Sequence, residues 1–280
     1  MRSLEGKVAV VTGAGSGIGR ALAVELTRRG TRVGISDVDE VGLAATAELC
    51  RERGAVPHSQ RLDVRDREAM SVYADTIVAH FGGVNLVINN AGITIFGTVR
   101  ETPFADLDKV MDVDFWGVVN GTKAFLPHLI ASGDGHLVNI SSIFGLFGVP
   151  NQSSYNAAKF AVRGFTEALR QEMLISKQPV GVTCVHPGGI KTNIVNNATA
   201  SNGAALDGIQ QVFDRYLTHT TPESAAGAIL RGVTGNHGRI LIGLDAHAID
   251  LVVRILGPNY QRLFSRAAQF LLRPLTDATP

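Results

Sequence analysis

A tyrosine and a lysine lie four positions apart in the segment SSYNAAKF, at Tyr155 and Lys159. Residues i and i+4 share one face of a helix, so the phenol and the ammonium group are expected to be neighbours. A free tyrosine has a pKa of about 10 and is protonated at neutral pH, whereas a nearby cation favours the phenolate. The pair is therefore either an ordinary surface contact or a tyrosine prepared to exchange a proton with a substrate.

A glycine-rich turn, VAVVTGAGSGIGRA, lies near the start of the chain between a predicted strand and a predicted helix. Its glycines allow a tight turn and the close approach of a pyrophosphate, and the helix N-terminus offers unpaired N–H groups. The spacing departs from G-x-G-x-x-G because Ile18 stands where the third glycine belongs, and no Gly-Lys-Ser/Thr follows. The turn predicts a dinucleotide site, with a purely structural turn as the alternative.

Asp37 ends the second predicted strand, about 20 residues after Gly17, which is the spacing of a ribose-binding carboxylate. A carboxylate there accepts hydrogen bonds from ribose hydroxyls and repels the extra phosphate of NADP. Neither Ser16 nor Val38 offers a cation to that phosphate, so the sequence predicts NAD. The alternative is that Asp37 only caps the following helix.

Short β-branched runs alternate with longer helical patterns, which predicts the α/β class: one Rossmann-type, doubly wound parallel sheet of about seven strands with helices on both faces. Residues 1–243 form the predicted NAD-binding domain, including a substrate loop at 193–220, and 244–280 form a helical C-terminal extension. The Asn- and Ala-rich part of that loop, 193–207, is predicted to be a mobile loop or lid. The predicted strands are Val8–Val11, Arg32–Asp37, Gln60–Asp63, Leu86–Asn89, His136–Ser141, Val180–His186 and Arg239–Gly243. The predicted helical segments are Ile18–Arg29, Val38–Arg53, Arg67–Phe81, Phe104–Ile130, Tyr155–Ser176 and Pro222–Arg231.

The composition excludes several classes of partner. The 280 residues carry a formal net charge of +1, so no overall field attracts nucleic acid or an anionic membrane. Cys50 and Cys184 lack metal-ligand spacing and are expected to be buried free thiols, so no metal site is predicted. The N-terminus lacks the apolar core of a secretory signal, and no apolar run reaches about 18 residues. The sequence therefore predicts a cytoplasmic protein.

The segments TGAGSGIG, NNAG, SS and YNAAK occur in this order, and the chain resembles the short-chain dehydrogenase/reductase family from about Lys7 to Gly243. The resemblance implies that Ser142, Tyr155 and Lys159 are catalytic, with Ser142 holding the substrate oxygen and Lys159 also binding the nicotinamide ribose. It further implies a homotetramer or homodimer. The cofactor-binding residues that follow from the turn, the strand end and the resemblance are Gly13, Ser16, Gly17, Ile18, Gly19, Asp37, Asp63, Val64, Asn90, Ala91, Gly92, Tyr155, Lys159, Pro187, Gly188, Ile190 and Thr192.

Asp114 departs from the family pattern, because the family carries a catalytic asparagine at this position. In the family that residue offers a backbone carbonyl to a water leading to the lysine, a role that the main chain of Asp114 can keep. A new anion near Lys159 should raise the pKa of Tyr155 and shift the pH optimum. We include Asp114 among the catalytic residues and place Asp112 and Asn120 on the helix surface.

These motifs together predict an NAD-dependent enzyme that interconverts a secondary alcohol and a ketone. A catalytically weak NAD-sensing or scaffold protein that keeps the fold is the alternative, and a sugar-nucleotide epimerase would need a different glycine spacing and a larger C-terminal domain. An apolar pocket suggests a lipophilic substrate. The pocket candidates are Ile93, Phe96, Phe144, Leu146, Ile190, Ile194, Phe213 and Tyr216.

The C-terminal segment PNYQRLFSRAAQFLLRP has the pattern of a basic amphipathic helix. Such a helix can lie on a membrane surface, pack on a neighbouring subunit or cover the pocket, and the packing roles are favoured. Its apolar face holds Tyr260, Leu263, Phe264, Ala267 and Leu271. Its basic face holds Arg262, Arg266 and Arg273.

Overall fold

The computed structural model describes residues 1–191, 199–200 and 220–266. Seven parallel strands form one sheet in the order β3-β2-β1-β4-β6-β7-β9, which confirms the predicted doubly wound α/β class. The chain order reverses between β1 and β4, and such a switch point is where open α/β sheets bind ligands. The strands are β1 (Val8–Thr12), β2 (Arg32–Asp37), β3 (His58–Arg61), β4 (Leu86–Asn89), β6 (Gly135–Ile140), β7 (Val180–Pro187) and β9 (Arg239–Ile242), with β5 (Ile95–Phe96) and β8 (Thr199–Ala200) forming a separate parallel pair.

Helices cover both faces of the sheet, and each face has its own apolar cluster. The helices are α1 (Gly17–Arg28), α2 (Glu40–Arg51), α3 (Arg67–Phe81), α4 (Phe104–Met111), α5 (Gly117–Ala131), α6 (Ser153–Ile175), α7 (Pro222–Thr234) and α8 (Leu244–Leu256). The first cluster joins α1, α2 and α7 to one face through buried residues such as Leu22, Leu43 and Ile229. The second joins α3, α5 and α6 to the other face through residues such as Tyr73 and Phe125.

The predicted helical segment 104–130 is helical throughout, but a π-helical turn at Asp112–Trp116 separates α4 from α5. A π turn inserts an extra residue into the helical repeat and is frequent at functional sites. Asp114 lies in this turn and is fully buried. The prediction of Asn120 at the helix surface is wrong: its side chain is buried, and its Nδ2 donates to the carbonyl of Val64 at 2.9 Å.

Smaller differences concern element ends and segments that are not described. The third strand lies earlier than predicted, at His58–Arg61. Among the residues described here, no helix is both long and apolar enough to span a membrane. The predicted loop 193–220, apart from 199–200 and 220, lies outside the described residues. The individual site and helix residues that were predicted and lie outside the described residues are Thr192, Ile194, Phe213, Tyr216, Ala267, Leu271 and Arg273.

Candidate active site

A cleft of about 550 Å³ follows the carboxyl ends of the central strands. The segments after β1, β2, β4, β6 and β7 all contribute to its wall, as the parallel topology requires. Gly19 does not line it; it faces the carbonyl of Gly13, where a Cβ would clash. The cleft-lining residues among those assigned from sequence are Gly13, Ser16, Gly17, Ile18, Asp37, Asp63, Val64, Asn90, Ala91, Gly92, Ser142, Tyr155, Lys159, Pro187, Gly188 and Ile190.

The glycine-rich turn between β1 and α1 needs glycine at two positions. Gly13 and Gly17 have φ of 65° and 52°, in the left-handed region that other residues rarely adopt. Ser16 precedes α1 with an extended backbone, and its hydroxyl makes no capping hydrogen bond to the helix. The first N–H groups of α1 are therefore available to an anion at the cleft.

Asp37 helps to shape this turn. Its carboxylate accepts the N–H of Gly15 at 2.7 Å and the N–H of Asp39 at 2.9 Å. The cap of α2 is Asp39, which accepts from Gly42 N–H at 3.0 Å, so Asp37 does not serve as the helix cap. The nearby cation of Arg20 donates to the carbonyls of Gly15 and Gly42 and is thereby engaged in holding the turn.

Ser142, Tyr155 and Lys159 all line the cleft. Tyr155 and Lys159 are neighbours, as their spacing in the sequence predicts. Ser142 follows β6, and the other two lie in the first turns of α6. The Nζ of Lys159 is 5.3 Å from the centre of the Tyr155 ring. Tyr155 is only 9 % exposed and Lys159 only 3 %, so the two are not an ordinary surface pair.

The pKa of Tyr155 is higher than its ordinary value. Burial raises it most; Lys159 and a hydrogen bond from Ser142 lower it, and Asp114 raises it. The sequence predicted that the ammonium group would make the phenol acidic, and in the protein by itself the cost of burying a phenolate outweighs that attraction. The predicted direction of the Asp114 effect does agree with the structure.

Asp114 and Lys159 form a buried ion pair, with Oδ2 of the carboxylate 2.9 Å from Nζ. The other carboxylate oxygen accepts the N–H of Ile93 at 2.8 Å. Burial raises the pKa of Asp114. Burial acts to lower the pKa of Lys159, but Asp114 and Tyr155 raise it above its usual value. In asparagine an NH2 group replaces one of the two carboxylate oxygens, so one of these two donors would face another donor.

Asn156 positions the loop after Ser142, a role that the sequence analysis missed. Its Nδ2 donates to the carbonyls of Phe144 at 2.7 Å and Phe147 at 2.9 Å. Its Oδ1 accepts the N–H of Val149 at 3.0 Å. The available signal was a polar amide one residue after Tyr155, inside a helix that disfavours asparagine unless it has partners elsewhere.

Several apolar side chains line the cleft. Ile93, Phe96, Phe144 and Ile190 line it, as predicted. Leu146 does not line it; this side chain packs into an apolar cluster behind the wall. Two polar side chains that the sequence analysis missed, Thr94 and Gln152, also line the cleft.

The segment beyond β9 contacts two loops of the site. Asp245, in the first turn of α8, accepts the N–H of Gly189 at 2.7 Å, next to the Pro-Gly segment after β7. The hydroxyl of Tyr260 accepts the N–H of Gly148 at 2.9 Å, in the loop after β6. Neither contact could be read from the helical pattern of the segment, because both are made to distant backbone amides.

A series of packed aromatic rings connects the segment beyond β9 with Tyr155 in the cleft. Phe144 meets the Tyr155 ring edge-on at 6.1 Å and the Phe147 ring at 5.6 Å. Phe147 in turn packs on Phe264 at 5.3 Å and on Tyr260 at 6.2 Å. Of the predicted apolar face, Tyr260 and Phe264 therefore pack inward, whereas Leu263 is half exposed.

The sequence profile of the short chain dehydrogenase family matches residues 7–203. The chain belongs to this family. SadH of Mycobacterium tuberculosis, which is named as an oxidoreductase, is 59% identical over 263 residues, with 94% of this chain and 95% of SadH covered. Dehydrogenase/reductase SDR family member 7B of Xenopus tropicalis is 35% identical, with 98% and 89% covered. These relatives make the protein an oxidoreductase of the short-chain dehydrogenase family.

A solved structure supports the same family assignment, and it contains a nicotinamide cofactor. The short-chain dehydrogenase from Burkholderia phymatum, crystallised with NAD, is 30% identical and has a TM-score of 0.85. The alignment covers 94% of this chain and 97% of that one. In this short-chain dehydrogenase, the left-handed glycines and the open end of α1 offer backbone N–H donors, and Asp37 offers a carboxylate acceptor, at the same cleft.

Proposed function

We propose that the protein is an NAD-dependent dehydrogenase/reductase that interconverts a lipophilic secondary alcohol and the corresponding ketone. The observation that carries the proposal is the meeting of Ser142, Tyr155 and Lys159 at one cleft, with Nζ of the lysine 5.3 Å from the phenol ring. The apolar wall of Ile93 and Phe96 beside them favours a lipophilic molecule.

Several segments would hold the cofactor along the cleft. The N–H groups at Ser16, Gly17 and Ile18 suit the pyrophosphate, and Asp37 suits the adenosine ribose. We further propose contacts from the segments 63–64, 90–92 and 187–192 and from Lys159. When bound, the nicotinamide accepts hydride from the alcohol or supplies it to the ketone.

The protein's own residues handle the proton. The hydroxyl of Ser142 would hold the substrate oxygen, and Tyr155 would take its proton during oxidation or return it during reduction. Because the pKa of Tyr155 is raised, the phenol is protonated at neutral pH and is ready to act as the acid in ketone reduction. Alcohol oxidation, which needs the phenolate, should then become faster as the pH rises.

Formation of NADH in the presence of a panel of secondary alcohols tests this function. We expect turnover of apolar cyclic or long-chain alcohols, increasing from pH 7 to alkaline pH. The opposite candidate, a protein that binds NAD without turning over a substrate, would bind NADH and oxidise none of the panel. The intact Ser142, Tyr155 and Lys159 argue against that candidate.

The preference for NAD depends on the charge of Asp37. We expect Asp37→Asn to narrow the gap between NADH and NADPH affinities by about ten-fold, because the repelling charge is lost while one acceptor oxygen stays for the backbone. Fluorescence titration with both cofactors measures the ratio. Asp39→Asn is the matched control, since Asp39 also lines the cleft and asparagine is a good helix cap. An equal change in both variants would contradict a specific role of Asp37.

Two broader features complete the proposal. Assembly into a homodimer or homotetramer follows from the family resemblance, and light scattering of the purified protein tests it. The cytoplasm is the proposed compartment, which is consistent with the buried free thiols of Cys50 and Cys184.

A further inference from the structure

Gln152 lines the cleft and carries a buried hydrogen-bond donor that is not used within the part of the chain that the structure describes. It lies directly before α6, lines the same cleft as Tyr155 and is 1% exposed. Its Oε1 accepts a hydrogen bond from the hydroxyl of Thr94 at 2.8 Å. Among the described residues, its Nε2 has no hydrogen-bond partner.

The backbone around Gln152 is fixed on both sides. Asn151 has φ of 64°, in the left-handed region, and its carbonyl accepts the N–H of Gly97 at 3.0 Å. The carbonyl of Gln152 accepts the N–H of Asn156 at 2.8 Å. Because Thr94 donates to Oε1, the planar amide holds Nε2 on the side away from Thr94. The donor is thus placed by the fold.

An unpaired donor at this depth calls for a partner. Leaving a buried amide N–H without an acceptor costs about 1–3 kcal/mol, and native proteins retain few such groups. Ile93, Phe96 and Phe144, which line the same cleft, carry apolar side chains that offer no acceptor. An acceptor that arrives with the ligand would recover this cost.

We propose that Gln152 is a substrate-recognition residue whose Nε2 donates to a second oxygen of the substrate. This oxygen is distinct from the reacting oxygen at Ser142, and the inference rests on the proposed function above. The substrate class is accordingly an apolar secondary alcohol or ketone that carries one further acceptor oxygen, such as an ether, ester or carbonyl oxygen.

Probes with and without an acceptor-only oxygen test the role. We compare kcat/KM with NAD for cyclohexanol and for its 2-, 3- and 4-methoxy derivatives. At least one ether should be preferred by wild type by about ten-fold, the worth of one buried hydrogen bond. Gln152→Met keeps the length and removes the donor, so it should lose the preference for the ether, and cyclohexanol measured in the same variant corrects for any general change in turnover. Gln171→Met, on the exposed part of α6, is the control and should keep the preference.

Binding measured without turnover separates this inference from the proposed function. Saturation-transfer NMR on the NADH complex reports the affinity for the same four compounds, and NADH affinity and melting temperature report that each variant is intact. If wild type binds an ether preferentially but does not oxidise it, the role of Gln152 in ligand recognition is supported and the proposed dehydrogenase function is contradicted. Equal binding of all four compounds to wild type, or an unchanged preference in Gln152→Met, would overturn the inference.

Discussion

Replacing Tyr155 by phenylalanine is expected to reduce kcat by about 100- to 10,000-fold, the usual contribution of a general acid or base. The change removes one hydroxyl and keeps the ring, which packs on Phe144 at 6.1 Å. NADH should therefore bind nearly as tightly as to wild type. Steady-state kinetics in both directions, together with a fluorescence titration of NADH, measure the two quantities.

Tyr73→Phe provides the matched control, because Tyr73 is also a buried tyrosine but lies on the core side of α3 and not at the cleft. Its kcat should stay near that of wild type. If Tyr155→Phe turns over substrate at a rate comparable to wild type, the proposed proton transfer by Tyr155 is contradicted. A parallel loss of NADH affinity would instead indicate that the hydroxyl holds the cofactor rather than the reacting oxygen.

Replacing Asp114 by asparagine is expected to move the alkaline rise of alcohol oxidation to lower pH by about 1 unit or more. The sign follows from the charges. Asp114 raises the pKa of Tyr155, so removing its charge lowers that pKa and lets the phenolate form at lower pH. Profiles of kcat/KM against pH for oxidation and for ketone reduction measure the shift.

The same substitution leaves one donor without an acceptor, since Lys159 Nζ and Ile93 N–H each use one carboxylate oxygen. We therefore also expect a lower melting temperature. Asp112→Asn, in the same π-helical turn but without contact to Lys159, controls for a general change of charge. Coincident profiles, or a shift to higher pH because Lys159 loses its own proton, would contradict the electrostatic role.

The sequence could predict those features that depend on local pattern. The alternation of strands and helices placed six of the seven sheet strands close to their observed ends, and the spacing of Tyr155 and Lys159 placed both on α6. The glycine-rich turn was recognisable because left-handed backbone at Gly13 and Gly17 restricts the residue type.

Other features depend on tertiary contacts that no local pattern encodes. The π-helical turn at Asp112–Trp116 and the burial of Asn120 depend on what packs against this helix. The direction of the Tyr155 pKa was mistaken because burial, not spacing, dominates it. For Gln152, the important observation is that Nε2 has no hydrogen-bond partner among the described residues. This can be recognised only when the positions of the surrounding residues are known.

The segment after β9 bears on how such an enzyme can diverge. Through Asp245 and Tyr260 it holds the backbone amides of Gly189 and Gly148, and through Phe147 its rings adjoin the wall next to Tyr155. Substitutions in this tail can therefore tilt either loop by small amounts while the proton-transfer residues stay unchanged. Evolution toward a different substrate can therefore act on the segment after β9, which is distant in sequence from Tyr155 and Lys159, without changing the proton-transfer residues.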